Sequence, residues 1–162
     1  YGDWDANVVE LLRQAGYASA RTVESTGRFD IPQEFLAWSA TCHHDDPRLM
    51  ELVDAFFAPE EAPWARQKPK LFYLWGHSSE FAGNDNWQVL EQFAQKMAAH
   101  KEECWFATNG EIVDYVTAYR RLEWSVDSRK IRNPSALEVW VLVNGKSVAI
   151  PGGAYFNLDS LL

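Results

Sequence analysis

Five bulky apolar residues in a row, Leu71-Phe72-Tyr73-Leu74-Trp75, constrain this chain more than any other stretch. Pro69 lies just before them and Gly76 just after. A short apolar run without alternation reads as a strand buried on both faces, as in the parallel sheet of an α/β protein. His77 follows at once, then Ser78, Ser79 and Glu80. Ligands and catalytic groups gather at the carboxyl ends of parallel strands, so Gly76-His77 sets an imidazole at such a rim. The plainer reading is a capped strand end with a hydrogen-bonded histidine, and pattern alone favours it.

The flanking sequence alternates between helical and extended patterns. Asp5 can cap a helix over residues 6–15, with Val8, Val9, Leu11 and Leu12 on its apolar face and Gly16 closing it. Residues 17–23 read as a short strand. Residues 35–39 are mixed and lead into Thr41-Cys42-His43-His44. Asp45 or Asp46 can cap a helix over 48–58, with Pro47 in its first turn. After His77 comes a polar loop, then a helix from Trp87 through Met97 that Asn86 can cap. Cys104-Trp105-Phe106-Ala107 is another strand candidate. Thr108 or Asn109 can cap a helix over 111–122. Successive strand, polar loop and helix units predict a parallel sheet or barrel wrapped by helices. The tail changes character: Asn144-Gly145 between two β-rich runs is a strong hairpin signal, because both residues accept positive φ. The expected division is therefore an α/β body over residues 1–132 and an appended β-hairpin over 133–162.

Charge narrows the function classes. Among 162 residues, 23 acids against 15 bases leave a net charge of −8, and no basic stripe is present. That argues against nucleic acid and against an anionic membrane surface as partners. Eight tryptophans, six tyrosines and nine phenylalanines are many for this length; part of that surplus belongs to a core, and rings lining a groove would suit sugar faces or other flat ligands. Cys42 and Cys104 form no C-x-x-C motif, and a disulfide between them is left open.

His43-His44-Asp45-Asp46 is the densest group of metal-ligand side chains. Neighbours on an extended segment point to opposite sides, so His43 and His44 are not expected to share an ion. No H-x-x-x-H spacing occurs, and no residue of the chain is assigned as a metal ligand. Nucleophile-elbow, dinucleotide and P-loop motifs are also absent.

Several of these residues together suggest a family. Leu71 to Ser78, then Asn86-Trp87, then Ala107-Thr108-Asn109-Gly110-Glu111-Ile112-Val113-Asp114-Tyr115 resemble the C-terminal half of polysaccharide deacetylase-like proteins. These form the chitooligosaccharide deacetylase (NodB homology) group, carbohydrate esterase family four. Tyr1-Gly2, Ala20-Arg21-Thr22 and Asn133-Pro134-Ser135 are similar to that family as well, so the resemblance spans nearly the whole chain. It implies an α/β fold forming the C-terminal part of a distorted (β/α) barrel. It also implies hydrolysis of N- or O-acetyl groups on a carbohydrate substrate. The implied metal, usually zinc, is held by an Asp and an H-x-x-x-H pair, and a second Asp is the base. None of these is among the 162 residues, so the chain is expected to be a piece of a longer protein, without a cofactor of its own. His77 matches the family's general acid. Tyr1 matches the tyrosine whose backbone N–H stabilises the oxyanion, and Trp75 joins it as a substrate-groove candidate. The expected partner is the N-terminal part of the same barrel or a second copy of the chain. Work on envelope polysaccharide would imply export.

Overall fold

The computed structural model of the chain describes residues 3–59 and 68–159. The chain divides into two compact units, Tyr1–Phe106 and Ala107–Leu162. The boundary falls before the fifth helix, so that helix belongs with the C-terminal strands.

In the first unit, helix α1 spans Ala6–Gln14. Asp5 caps it, its Oδ1 accepting the Val8 N–H at 2.8 Å, and Gly16 turns the chain away at φ +82°. Strand β1 spans Arg21–Ser25. A short 3-10 turn at Phe35–Ala37 leads into β2, Trp38–Ala40, and β3, Cys42–His43. Helix α2 spans Leu49–Phe57 and β4 spans Leu74–Trp75. The segment from Trp38 to His43 is the middle of this unit. Its first half pairs in parallel with β1, and its second half pairs in parallel with β4. Thr41 N–H donates to the Tyr73 carbonyl at 2.8 Å between the two ladders. Strand β3, helix α2 and strand β4 therefore make a βαβ unit.

Burial follows this arrangement. Trp38, Ala40, Cys42 and Val53 are fully buried, and Phe29, Phe56, Phe72 and Phe93 make a chain of ring contacts with centroids 5.3 to 5.9 Å apart. Helix α3 spans Ser78–Asn84 and α4 spans Trp87–Ala98. Lys96 of α4 reaches α2, 2.6 Å from Asp54 Oδ1 and 3.2 Å from the Met50 carbonyl.

The second unit begins with α5, Asn109–Arg120. Thr108 and Glu111 form a capping box at its start. Strands β5 (Glu123–Trp124), β6 (Lys130–Arg132) and β9 (Tyr155–Asn157) form an antiparallel sheet in the order β5-β6-β9. Strands β7 (Val139–Val143) and β8 (Lys146–Ile150) form the hairpin anticipated around Asn144-Gly145, whose φ values are +49° and +77°. Ile131, Val141, Val143, Val148, Ile150 and Leu158 make the core of this unit.

The expected C-terminal part of a (β/α) barrel is not what the described residues form. The strands make separate sheets of two or three strands, and no sheet closes among the described residues. Three local departures explain this. Leu71-Phe72-Tyr73-Leu74-Trp75 is half-buried throughout, with strand pairing only at Leu74–Trp75, because β3 is the one strand beside it among the described residues. Cys104-Trp105-Phe106-Ala107 is not a strand, so it adds nothing to the parallel pairs. The presumed polar loop after His77 is helix α3.

Candidate functional site

The carboxyl ends of β3 and β4 lie side by side, because Cys42 pairs with Leu74 and His43 with Trp75. Asp46 N–H donates to the His43 carbonyl at 3.1 Å, so residues 43–46 make a β-turn with His44 second in it. The backbone stops being extended there, and side-chain alternation stops with it. Both imidazoles end on one side, with ring centroids 4.3 Å apart. The expectation that His43 and His44 point apart fails at this turn.

The two rings have different surroundings. His44 is 2% exposed and lies against Phe81, centroids 4.1 Å apart. It also lies over Gly76, where a Cβ would come within 2.0 Å of Nδ1, so only glycine permits this approach. Neither His44 nitrogen has a hydrogen-bond partner among the described residues. His43 uses Nδ1 on the Asp45 carboxylate and turns Nε2 toward Glu80, 3.2 Å from Oε2.

Glu80 arrives on the first turn of α3. Its Oε2 accepts the backbone N–H of His77, the N-cap residue, at 2.9 Å. Its Oε1 lies 3.2 Å from His77 Nδ1, and Oε2 lies 3.6 Å from His44 Nδ1. One carboxylate thus faces three imidazoles. The His77 backbone N–H, then the His77 ring and the charges of His43 and His77, hold the Glu80 carboxyl below the usual carboxylate range.

His77 is where the sequence placed it, at the end of the apolar strand, but its side chain is 58% exposed and not tucked into the rim. Trp75 packs edge-on against His43 at 4.3 Å, while the Arg21 guanidinium sits 4.0 Å over its ring. Arg21 therefore occupies space over the ring proposed for sugar stacking. Tyr1 lies outside the described residues.

A cavity of about 660 Å³ lies elsewhere in this unit, lined by Arg28, Ile31, Trp38, Ser39, Thr41 and Tyr73 among others. Asp30, Glu34 and Lys68 also line it, but no histidine does among the described residues, so the imidazoles gather at the rim of β3 and β4 instead. Both cysteines are free thiols, and burial pushes Cys42 up to about 11. No described helix is long and apolar enough to cross a membrane.

The juxtaposition of His43, His44 and Glu80 is the part of the site that sequence reasoning missed. Asp45-Asp46-Pro47, directly after the histidine pair, is a turn signal that bears on it. Comparison with family models, with curated proteins and with solved structures finds no match to this chain.

Proposed function

We propose that this chain supplies an acid–base histidine, His77, to the removal of acetyl groups from a carbohydrate. The observation that carries the reading is the solvent-open His77 imidazole, 3.2 Å from Glu80 at the carboxyl end of a parallel strand. The likeness of the surrounding residues to polysaccharide deacetylases supports it. The reading rests on His77 and its neighbours and not on a barrel.

A carboxylate on Nδ1 fixes the ring and its tautomer, leaving Nε2 as the nitrogen that exchanges a proton. In this scheme water has added to the acyl carbon, and the protonated His77 gives its Nε2 proton to the departing amine nitrogen or sugar oxygen as the acyl carbon–heteroatom bond of that adduct breaks, leaving acetate and the free amine or hydroxyl. Glu80 is a positioning residue that acts through His77. The metal donors implied by the resemblance, an Asp and an H-x-x-x-H pair, are not among these residues, and no step is routed through that metal.

Acetate release from acetylated chitooligosaccharides by the full natural protein tests the reading, with release expected. Sugar binding without acetate release would favour a second reading, a non-catalytic carbohydrate-binding domain, which the aromatic surplus supports. Trp4, Leu11, Val23, Trp87, Trp105 and Phe106 are exposed apolar side chains of the first unit. They support a covering partner, either a second copy or the remainder of a longer protein.

A further inference from the structure

We infer that His43, His44 and Glu80 form a binding site for one divalent cation of the zinc class, separate from the donor set that the family resemblance implies. Each residue offers one donor atom, and the three atoms lie within 4.8 Å of one another. Glu80 Oε2 stands 3.2 Å from His43 Nε2 and 3.6 Å from His44 Nδ1. Donors about 2.0–2.1 Å from a tetrahedral zinc are separated by roughly 3.3–3.4 Å, so both spacings fit a cation among them.

Two features of the cluster point to a cation. His44 is buried with both ring nitrogens unpartnered among the described residues, and such a group carries a desolvation cost that a ligand would remove. His43 has a carboxylate at each ring nitrogen, Asp45 on Nδ1 and Glu80 Oε2 3.2 Å from Nε2, so its Nε2 and the Glu80 oxygen converge on one point beside His44. One cation between them answers both. The Asp45 contact is also the support that metal-bound histidines usually have, a carboxylate on the far nitrogen. Glu80 Oε2 keeps a lone pair for the cation after accepting the His77 N–H.

Donor chemistry selects the ion. Two imidazoles and one carboxylate match zinc sites that keep a fourth position open, whereas magnesium and calcium take mainly oxygen ligands. Glu80 and His43 remain partly exposed, which gives the ion a way in.

The probe is zinc alone, titrated into chelator-stripped chain in competition with a chromophoric chelator. One zinc per chain is expected. Glu80→Gln and His43→Ala should each weaken binding by about a hundredfold or more, since even supporting partners cost about 10–100-fold. Asp45→Asn should fall in that lower range. Gly76→Ala should weaken binding without removing a donor, by pushing His44 off its seat. His100→Ala, whose ring stacks on Phe57 and pairs with Glu103, should bind as the parent does. Circular dichroism on each variant separates lost folding from lost ligation, and the partly exposed Glu80→Gln keeps the test open if a His44 variant fails to fold. A parent chain that takes up no zinc would overturn the inference and leave His43 as a side chain held between Asp45 and Glu80. Equal binding by a Glu80→Gln/His43→Ala double variant would overturn it too. Zinc uptake is read without any deacetylation assay, so this inference and the proposed function fail separately.

Discussion

Glu80 meets His77 twice: Oε2 accepts the His77 backbone N–H at 2.9 Å, and Oε1 lies 3.2 Å from the ring Nδ1. The first contact starts helix α3 and the second orients the imidazole. Local folding and site geometry therefore share one side chain. Glu80→Gln should keep the backbone cap, since an amide oxygen still accepts, and leave α3 in place. It should lower turnover less than losing His77 does. Circular dichroism and acetate-release rates check both parts, and a Glu80→Gln protein as slow as His77→Ala would contradict the positioning role.

Gly76→Ala should destabilise the first unit by about 1–3 kcal/mol, the usual range for forcing atoms into a packed site. The added Cβ would lie 2.0 Å from the buried His44 ring, which has Phe81 on its other neighbour contact. Urea unfolding checks it, and an unchanged midpoint would mean that His44 moves freely.

Asn133 organises the second unit and is fully buried. Its Nδ2 donates to the Leu137 and Ile150 carbonyls at 2.8 and 2.9 Å, and its Oδ1 accepts from Ser135 N–H and Oγ–H. Asn133→Ala should cost about 2–3 kcal/mol by orphaning buried carbonyls, read by thermal unfolding. Retained stability would show that water reaches this turn.

Glu111 gives a pH dependence with a definite sign. The Thr108 backbone N–H, then its hydroxyl, hold the Glu111 carboxyl below the usual range in the folded chain. A depressed folded value stabilises above the unfolded value, about 4.3, and that contribution is lost as pH falls through the folded value. Glu111→Gln should therefore flatten part of the acid limb of the melting-temperature profile and leave neutral pH less favoured than in the parent. An identical acid limb would contradict the capping box.

Thiol reactivity should differ between the two cysteines. Cys42 is fully buried and its thiol sits at about 11, whereas Cys104 is partly exposed. Alkylation near neutral pH should mark Cys104 first, and mass spectrometry of peptides reads the order. Faster labelling of Cys42 would show that β3 opens.

Much of the local structure was legible in the residues. Asp5, Thr108 and Asn144-Gly145 act through neighbours three residues away or fewer, and caps and a hairpin stand where their chemistry put them. The barrel was not legible, because Leu71-Phe72-Tyr73-Leu74-Trp75 carries no record of how many strands flank it. Its half-burial reflects one neighbour, β3, among the described residues. His77 was legible for the same local reason as the caps, and Glu80 is three residues from it. The His43 and His44 pairing with Glu80 was not, since it needs a turn that ends alternation and a crossover that sets β3 beside β4.

The most direct measurement is the turnover of His77→Ala in the full natural protein on an acetylated chitooligosaccharide, with His100→Ala beside it. Loss of an acid–base group costs roughly a hundredfold or more. His77→Ala should show that loss with folding unchanged, and His100→Ala should run at the parental rate. Deacetylation by His77→Ala at the parental rate would contradict the acid–base role of His77.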